Sequence, residues 1–225
     1  MIKAVLFDLD ETLLVRGEAI KAFISAQYNR HAKALAGIDP EQYRSRFLAL
    51  ELDTISNKGT VYKRLVDELG ITGISAEALL ADYRAIYPSF ATLSMGARET
   101  LIALRDRGLK TGIITNGGAV VQNGKLDSTG LASLVDVVLI SETEGMEKPD
   151  RRLFERAVEQ LGVTPAETVF VGDNAEVDIV GARDAGLVAV WYSATTPWPA
   201  NLPPAERAVA ALPDLLDIPP LSRAA

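Results

Sequence analysis

The chain has 225 residues, 48% of them hydrophobic, with no cysteine, a single histidine and a formal net charge of −7. That length fits one large or two small domains, and the apolar fraction is ample for a core. The composition excludes disulfides, thiol nucleophiles and thiolate or histidine-rich metal sites, and without a basic block it argues against polymeric nucleic acid or an anionic membrane as partner.

The first apolar run, 2–7, is short enough for a buried strand and runs into Asp8-Leu9-Asp10. Buried parallel strands read as continuous apolar segments, and ligands of open α/β sheets sit beyond their carboxyl ends. In extended backbone Asp8 and Asp10 project to the same side. Two carboxylates forced together are costly unless a cation shares them or one keeps its proton. A metal would leave Asp8 an ionised nucleophile, and Asp10 could act as general acid and then base. A strand followed by a solvated acidic turn is the competing reading.

Residues 16–88 differ in texture. Apolar residues recur at helical spacing over 18–35, 40–52, 60–69 and 76–87, with Gly37, Gly59, Gly70 and Gly73 between them and Pro88 at the end. This predicts a four-helix insert. After Pro88 the pattern alternates: helix 96–107, strand 110–115, helix 119–129, strand 135–140, helix 150–161, strand 168–171, helix 176–185 and strand 187–191. Such alternation means right-handed crossovers and a parallel sheet. The stretch 193–204 reads as a surface loop, 207–212 as a short strand, 213–218 as a final helical turn, and 222–225 as a frayed end. Two domains follow: a core of 1–15 with 89–225, and an inserted helical domain of 16–88.

Polar residues gather at the predicted strand ends. The second strand enters Thr115-Asn116-Gly117-Gly118, which suits an oxyanion cradle with helix-start N–H groups aimed at a phosphate. An N-capped turn fits the same residues. The third strand leads to Lys148-Pro149, where Pro149 suits the first helical position and would hold Lys148 extended just outside the sheet. The fourth runs into Gly172-Asp173, with Asp178 just over one helical turn on. Asp8 and Asp173 on neighbouring strands fit a hard divalent cation, with Asp178 holding a metal-bound water or the lysine. Helix-start acids favoured by the macrodipole are the alternative for Asp173 and Asp178.

The set resembles the four signature motifs of the haloacid dehalogenase superfamily: Asp8-Leu9-Asp10-Glu11-Thr12, Thr115-Asn116, Lys148-Pro149, and Gly172-Asp173 followed by Asp178. Order and spacing match over residues 1 to about 192. Glu11 stands where many members carry glycine. The resemblance implies an α/β fold, a Rossmann-like three-layer core with a parallel sheet and an all-α cap. It implies that Asp8 attacks phosphorus to form an aspartyl-phosphate, that Asp10 protonates the leaving oxygen and then activates water, and that Thr115, the Asn116 amide and Gly117 bind phosphate. Lys148 would stabilise the intermediate. Magnesium would be held by Asp8, Asp173 and the Asp10 carbonyl, with Thr12 and Asp178 in support.

Within the family, Asp10 and the metal acids argue for a phosphatase over a 2-haloacid dehalogenase, whose halide leaves without a proton. A phosphomutase is the alternative, and a non-enzymatic binding module would be expected to have lost Asp8 or Asp10. A cap predicts a small soluble phosphomonoester, nucleotidase-like or a sugar or organic-acid phosphate, and closure that excludes water. In the polar link 53–60, Asn57 and Lys58 are candidates for substrate contact, against a solvated turn. Arg16 is expected to pair with acids of the insert. No stretch has the length of a membrane span or the pattern of a signal peptide, so the expected location is cytoplasmic. Scattered aromatics on an acidic chain set no oligomeric state.

Overall fold

The computed structural model describes residues 1–53, 57–219 and 221. Positions 54–56 of the polar link and the expected frayed end at 222–225 lie outside these. The chain forms two compact units, Met1–Val15 with Thr92–Ala225, and Arg16–Ala91.

In chain order, β1 (Ala4–Phe7) precedes the helices of the insert: α1 (Arg16–Arg30), α2 (Pro40–Asp53), α3 (Lys58–Leu69) and α4 (Ala76–Ile86). Then follow α5 (Ala97–Asp106), β2 (Lys110–Thr115), α6 (Ala119–Thr129), β3 (Val137–Ile140), α7 (Ser141–Glu144), α8 (Arg151–Leu161), β4 (Thr168–Gly172), a π-helix (Ala175–Val180) running into α9 (Gly181–Asp184), β5 (Val188–Tyr192) and β6 (Ala208–Val209). The six strands pair in parallel in the order β3-β2-β1-β4-β5-β6, with helices on both sides.

This is the expected Rossmann-like α/β architecture. The chain builds outward from β1 through β2 to β3, then returns to lay β4 on the other side of β1. The topological switch therefore falls between β1 and β4, where such sheets bind ligands. The register places Phe7 beside both Ile113 and Val171, so Asp8, Thr115 and Asp173 all emerge at one edge. All four residues of β1 are fully buried, as a central parallel strand requires. Helix α8 contributes Leu153, Phe154, Ala157, Val158 and Leu161 to the core beneath it, with the Phe154 ring edge-on to Phe170 at 5.1 Å.

Several local expectations are corrected. Pro149 is not the first residue of a helix: α8 starts at Arg151, and Asp150 is its N-cap, accepting from the Arg152 N–H at 3.0 Å. The Lys148–Pro149 peptide is cis. The third strand begins at Val137 because Asp136 turns its carboxylate onto the Thr111 N–H at 2.7 Å. Residues 141–144, unassigned by periodicity, form α7. The segment expected as a plain helix over 176–185 opens as a π-helix. Asn174 caps it by accepting from the Glu176 and Val177 N–H groups (3.1 and 3.0 Å), while Asp178 folds back to accept from the Asn174 N–H at 3.0 Å. The wider turn leaves room for the Asp178 carboxylate against Gly172, where a Cβ would lie 2.5 Å from it.

In the unit Arg16–Ala91 the first helix ends at Arg30, short of the expected 35. Residues 31–37 turn instead, with the Ala34 N–H on the His31 carbonyl at 2.9 Å. The Ala34 carbonyl then lies so close to Gly73 that a Cβ there would collide with it. The core of this unit is aromatic: Phe23 packs edge-on to Tyr83, Tyr87 and Phe90 at 5.5–5.7 Å. Among these rings Gln27 is fully buried, and its amide is saturated. Its Oε1 accepts from the Tyr43 and Tyr62 hydroxyls (3.1 and 3.0 Å), and its Nε2 donates to the Leu79 carbonyl and to Asp82 (both 2.9 Å). Asp82 also accepts two hydrogen bonds from Arg30 (3.0 and 2.7 Å).

Two outcomes follow from this polar node. Gln27→Leu retains bulk but strands two tyrosine hydroxyls and a carbonyl, so the urea midpoint should fall by the equivalent of about 3 kcal/mol, at ~1–3 kcal/mol per buried unsatisfied group. Burial pushes the Asp82 carboxyl up, but its hydrogen bonds from Arg30 and Gln27 and the guanidinium charge outweigh burial and leave it lowered. A lowered folded value means stabilisation that is present above the ordinary carboxylate pKa of about 4 and lost as pH falls through the folded value. Asp82→Asn should therefore lower the urea midpoint more at pH 6 than at pH 3, and an equal loss at both would refute the assignment.

Candidate active site

The strand β1 stops at Phe7, and the Asp8 N–H still bonds the Val171 carbonyl at 2.9 Å, which fixes Asp8 against the end of β4. The chain then turns at Leu9, whose carbonyl accepts from the Leu14 N–H at 2.9 Å. Glu11 has φ of 61°, in the left-handed region that costs a non-glycine residue roughly 1–2 kcal/mol. The extended backbone expected through Asp8 and Asp10 is thus replaced by a turn, and the two carboxylates take different partners.

Asp8 is 8% exposed and bonds Lys148 Nζ at 2.5 Å; the same Nζ bonds Asp178 at 2.7 Å. Asp173 completes the group, and one carboxylate oxygen from each of Asp8, Asp173 and Asp178 lies within 4.8 Å of the others. Asp173 accepts from the Thr196 hydroxyl at 3.0 Å and from Thr12 at 3.4 Å, and Trp191 Nε1 donates to its backbone carbonyl at 3.3 Å. Lys148 Nζ also stands 5.3 Å from the centre of the Phe170 ring.

One ammonium faces three carboxylates. Burial disfavours the Lys148 charge, but Asp178 and Asp8 outweigh it and hold its pKa above the ordinary lysine value. Burial pushes the Asp8 carboxyl up, Lys148 pulls it down, and Asp178 and Asp173 push it up again, leaving it well above the usual range. Asp173 is pushed up to about 6, by burial first and then by Asp178, against the hydrogen bond from Thr196. The cluster is short of positive charge and rich in hard oxygen donors. A divalent cation meets both conditions, so these residues fit a metal. Asp178 holds the lysine, one of the two places expected of it.

The second-strand loop also holds the lysine in place. The Asn116 side-chain amide is engaged at both ends by the backbone of Lys148, donating to its carbonyl and accepting from its N–H, each at 2.9 Å. This pair of hydrogen bonds, rather than a helical Pro149, fixes the Lys148 backbone. Gly117, with φ of 146°, gives its N–H to the Ser141 hydroxyl at 2.9 Å, and the Ala119 N–H at the start of α6 goes to Glu142 at 2.7 Å. Two of the N–H groups in this stretch, those of Gly117 and Ala119, are therefore taken by α7. Thr115 remains at the sheet edge, its hydroxyl accepting from Gln122 Nε2 at 2.6 Å.

Asp10 is bound by residues that the motifs did not indicate. Lys125 Nζ reaches both of its carboxylate oxygens (2.8 and 2.7 Å), and Gln122 Nε2 bonds one at 3.0 Å. Both side chains are buried on α6 beside Val121 and Leu126. The available signal was two polar residues, three apart, on a helix face where the pattern called for apolar ones. Asn57 and Lys58 serve their own unit. Asn57 Oδ1 caps α3 by accepting from the Thr60 N–H at 3.1 Å, and Lys58 pairs with buried Glu51 at 2.8 Å. Arg16 meets the same Glu51 at 2.5 Å, as expected of it.

The family model for haloacid dehalogenase-like hydrolases matches residues 2–186. The chain belongs to this family. It is 35% identical over 196 residues to a glyceraldehyde 3-phosphate phosphatase of Methanothermobacter thermautotrophicus, covering 84% of this chain and 85% of that one. It is 34% identical over 204 residues to a ribulose-1,5-bisphosphate 5-phosphatase of Halopiger xanaduensis, covering 85% of each. The solved structure of a HAD phosphatase from Thermococcus onnurineus superposes with a TM-score of 0.71 at 32% identity, over 96% of this chain and 97% of that one. Among the described residues no helix is long and apolar enough to cross a membrane.

The charge deficit makes a measurement that needs no substrate. Magnesium or manganese chloride at saturating concentration should raise the melting temperature by about 5 °C or more, since a ligand at ~100 times its Kd adds about 2.7 kcal/mol. Asp173→Asn should abolish most of that shift, and an equal shift in the variant would place the ion elsewhere.

Proposed function

We propose that this hydrolase is a magnesium-dependent phosphatase of small phosphomonoesters, working through an aspartyl-phosphate on Asp8. The observation that carries the reading is Asp8 itself: a buried carboxylate at the sheet's switch point, held by Lys148, with a second aspartate two residues on. The named relatives, which include phosphatases of a triose phosphate and a sugar bisphosphate, support the same substrate class. Cytoplasmic residence belongs to this reading, since a cysteine-free chain acting on small phosphorylated metabolites suits that compartment.

In the first step an Asp8 oxygen forms a bond to phosphorus and the phosphorus–leaving-oxygen bond breaks. Asp10 gives its proton to that oxygen, releasing an alcohol and becoming a carboxylate. In the second step water attacks the phosphorus, Asp10 takes back a proton, and Asp8 and inorganic phosphate are released. Lys148 orients Asp8 and offsets the charge that gathers there. A hydroxyl that accepts from Gln122 still has one proton to donate, so Thr115 can bind a phosphate oxygen. The Asn116 side chain acts indirectly, by holding Lys148. Magnesium, held by Asp8 and Asp173 with Asp178 beside them, would supply Lewis-acid charge for the phosphoryl oxygens.

The deciding experiment is phosphate release from a panel of p-nitrophenyl phosphate, sugar phosphates, nucleotides and phosphoglycolate with magnesium. Wild type should turn over at least one, and Asp8→Asn should lose on the order of 10³-fold or more, as removal of other covalent nucleophiles does. Undiminished turnover in Asp8→Asn would refute the mechanism.

A further inference from the structure

We infer that Lys125 and Gln122 form a positioning clamp for Asp10 that couples the acid to the phosphate-facing hydroxyl of Thr115. The inference deepens the phosphatase reading and rests on it. Three observations carry it. Lys125 is only 4% exposed, yet its ammonium is directed at Asp10 and reaches both carboxylate oxygens at 2.8 and 2.7 Å. Gln122, 2% exposed, uses one amide nitrogen to join Asp10 (3.0 Å) to Thr115 (2.6 Å). Gly117 has no side chain where one would press on Gln122: a Cβ there would lie 3.2 Å from its Cγ and Cδ.

A buried lysine and glutamine on the inner face of α6 are expensive as packing. Leucine or methionine would fill the same space without desolvating an ammonium. Their polar ends meet at one carboxyl group, whose place in the reaction is to deliver a proton to the leaving oxygen, becoming a carboxylate, and then to accept one from water. That transfer needs the carboxyl within hydrogen-bond reach of the reacting oxygen, and small misplacements are costly. A two-oxygen contact from Lys125 and a side contact from Gln122 remove the rotational freedom of Asp10. Because Gln122 also holds Thr115, the acid and a phosphate contact are set by one side chain. Lys125 and Gln122 act through Asp10 and Thr115 and do not themselves touch the reacting atoms.

The test uses leaving-group dependence, which a merely structural role would not move. p-Nitrophenolate leaves with little need of a proton, whereas an alkoxide needs one. With purified full-length protein and magnesium, Lys125→Met should lower kcat on an alkyl phosphomonoester by about 10- to 100-fold and on p-nitrophenyl phosphate by less than about threefold, with KM little changed. Lys125→Arg should recover part of the loss. In an Asp10→Asn background, Lys125→Met should cause no further loss on p-nitrophenyl phosphate. Equal losses on both esters, or a further loss in the Asp10→Asn background, would overturn the clamp while leaving the phosphatase reading standing. A wild type inactive on both esters would overturn that reading and the clamp with it. Should Lys125→Met show no cooperative melting, Gln122→Leu, which removes no charge, is held to the same ratio and the same cycle.

Discussion

A buried ammonium surrounded by three carboxylates is an arrangement that water would ordinarily dissolve. Lys148 is 3% exposed and Asp178 1%, so neither can lean on solvent. Removing one member of such a group strands the others, which typically costs 3–5 kcal/mol. Much of the nearby structure is explained by keeping it together. Asn116 grips the Lys148 backbone from β2, and Gly172 has no side chain because the Asp178 carboxylate lies there. The π-helix opens to let Asp178 fold back, and Trp191 and Thr196 hold Asp173 from the other side. Four strand ends are thus tied to one charge cluster, and the parallel register brings them to the same edge.

Asp8 and Asp10 are two residues apart in sequence and are hydrogen-bonded to different side chains. Asp8 answers to Lys148 and Asp178, Asp10 to Lys125 and Gln122. The separation is made by the turn at Leu9 and the left-handed Glu11, which divert the chain as soon as β1 ends. Because their partners differ, each carboxyl group is oriented independently of the other. The left-handed backbone at Glu11 also gives a physical reason for glycine at that place in many family members.

The sheet and its order of elements were legible because apolar runs and helical spacing are local signals that tertiary packing here reinforces. That Asp8 and Asp173 would meet was legible because both follow apolar runs that pair as neighbouring strands, with Asp178 just over one helical turn on. What sequence could not reveal is polar satisfaction at a distance. Nothing local says that Glu142 will cap α6, that Ser141 will take the Gly117 N–H, or that Asn116 will spend its amide on Lys148. At residues 115–118 the Gly117 N–H is taken by Ser141, while the Thr115 hydroxyl keeps a proton to donate. The π-helix was missed for the same reason, since its cause is the carboxylate it accommodates.

The unit Arg16–Ala91 makes the complementary point. Its most polar link offered Asn57 and Lys58 as candidates for substrate contact, against a solvated turn. Where described, those side chains are engaged at home, Asn57 as a helix cap and Lys58 against a Glu51 that Arg16 also holds. Its deepest polar residue, Gln27, gave no sign in sequence and makes four hydrogen bonds. Polarity in a link and burial in a core are therefore poor guides when read separately, because each residue's role is set by which partner's desolvation it offsets. Every side chain in the charge cluster and the Asp10 clamp comes from the other unit, Met1–Val15 with Thr92–Ala225. Under the phosphatase reading the machinery for the phosphoryl group is complete on that one scaffold. The four motifs supply the groups for phosphoryl transfer, so recognition of the rest of the substrate falls to residues outside them.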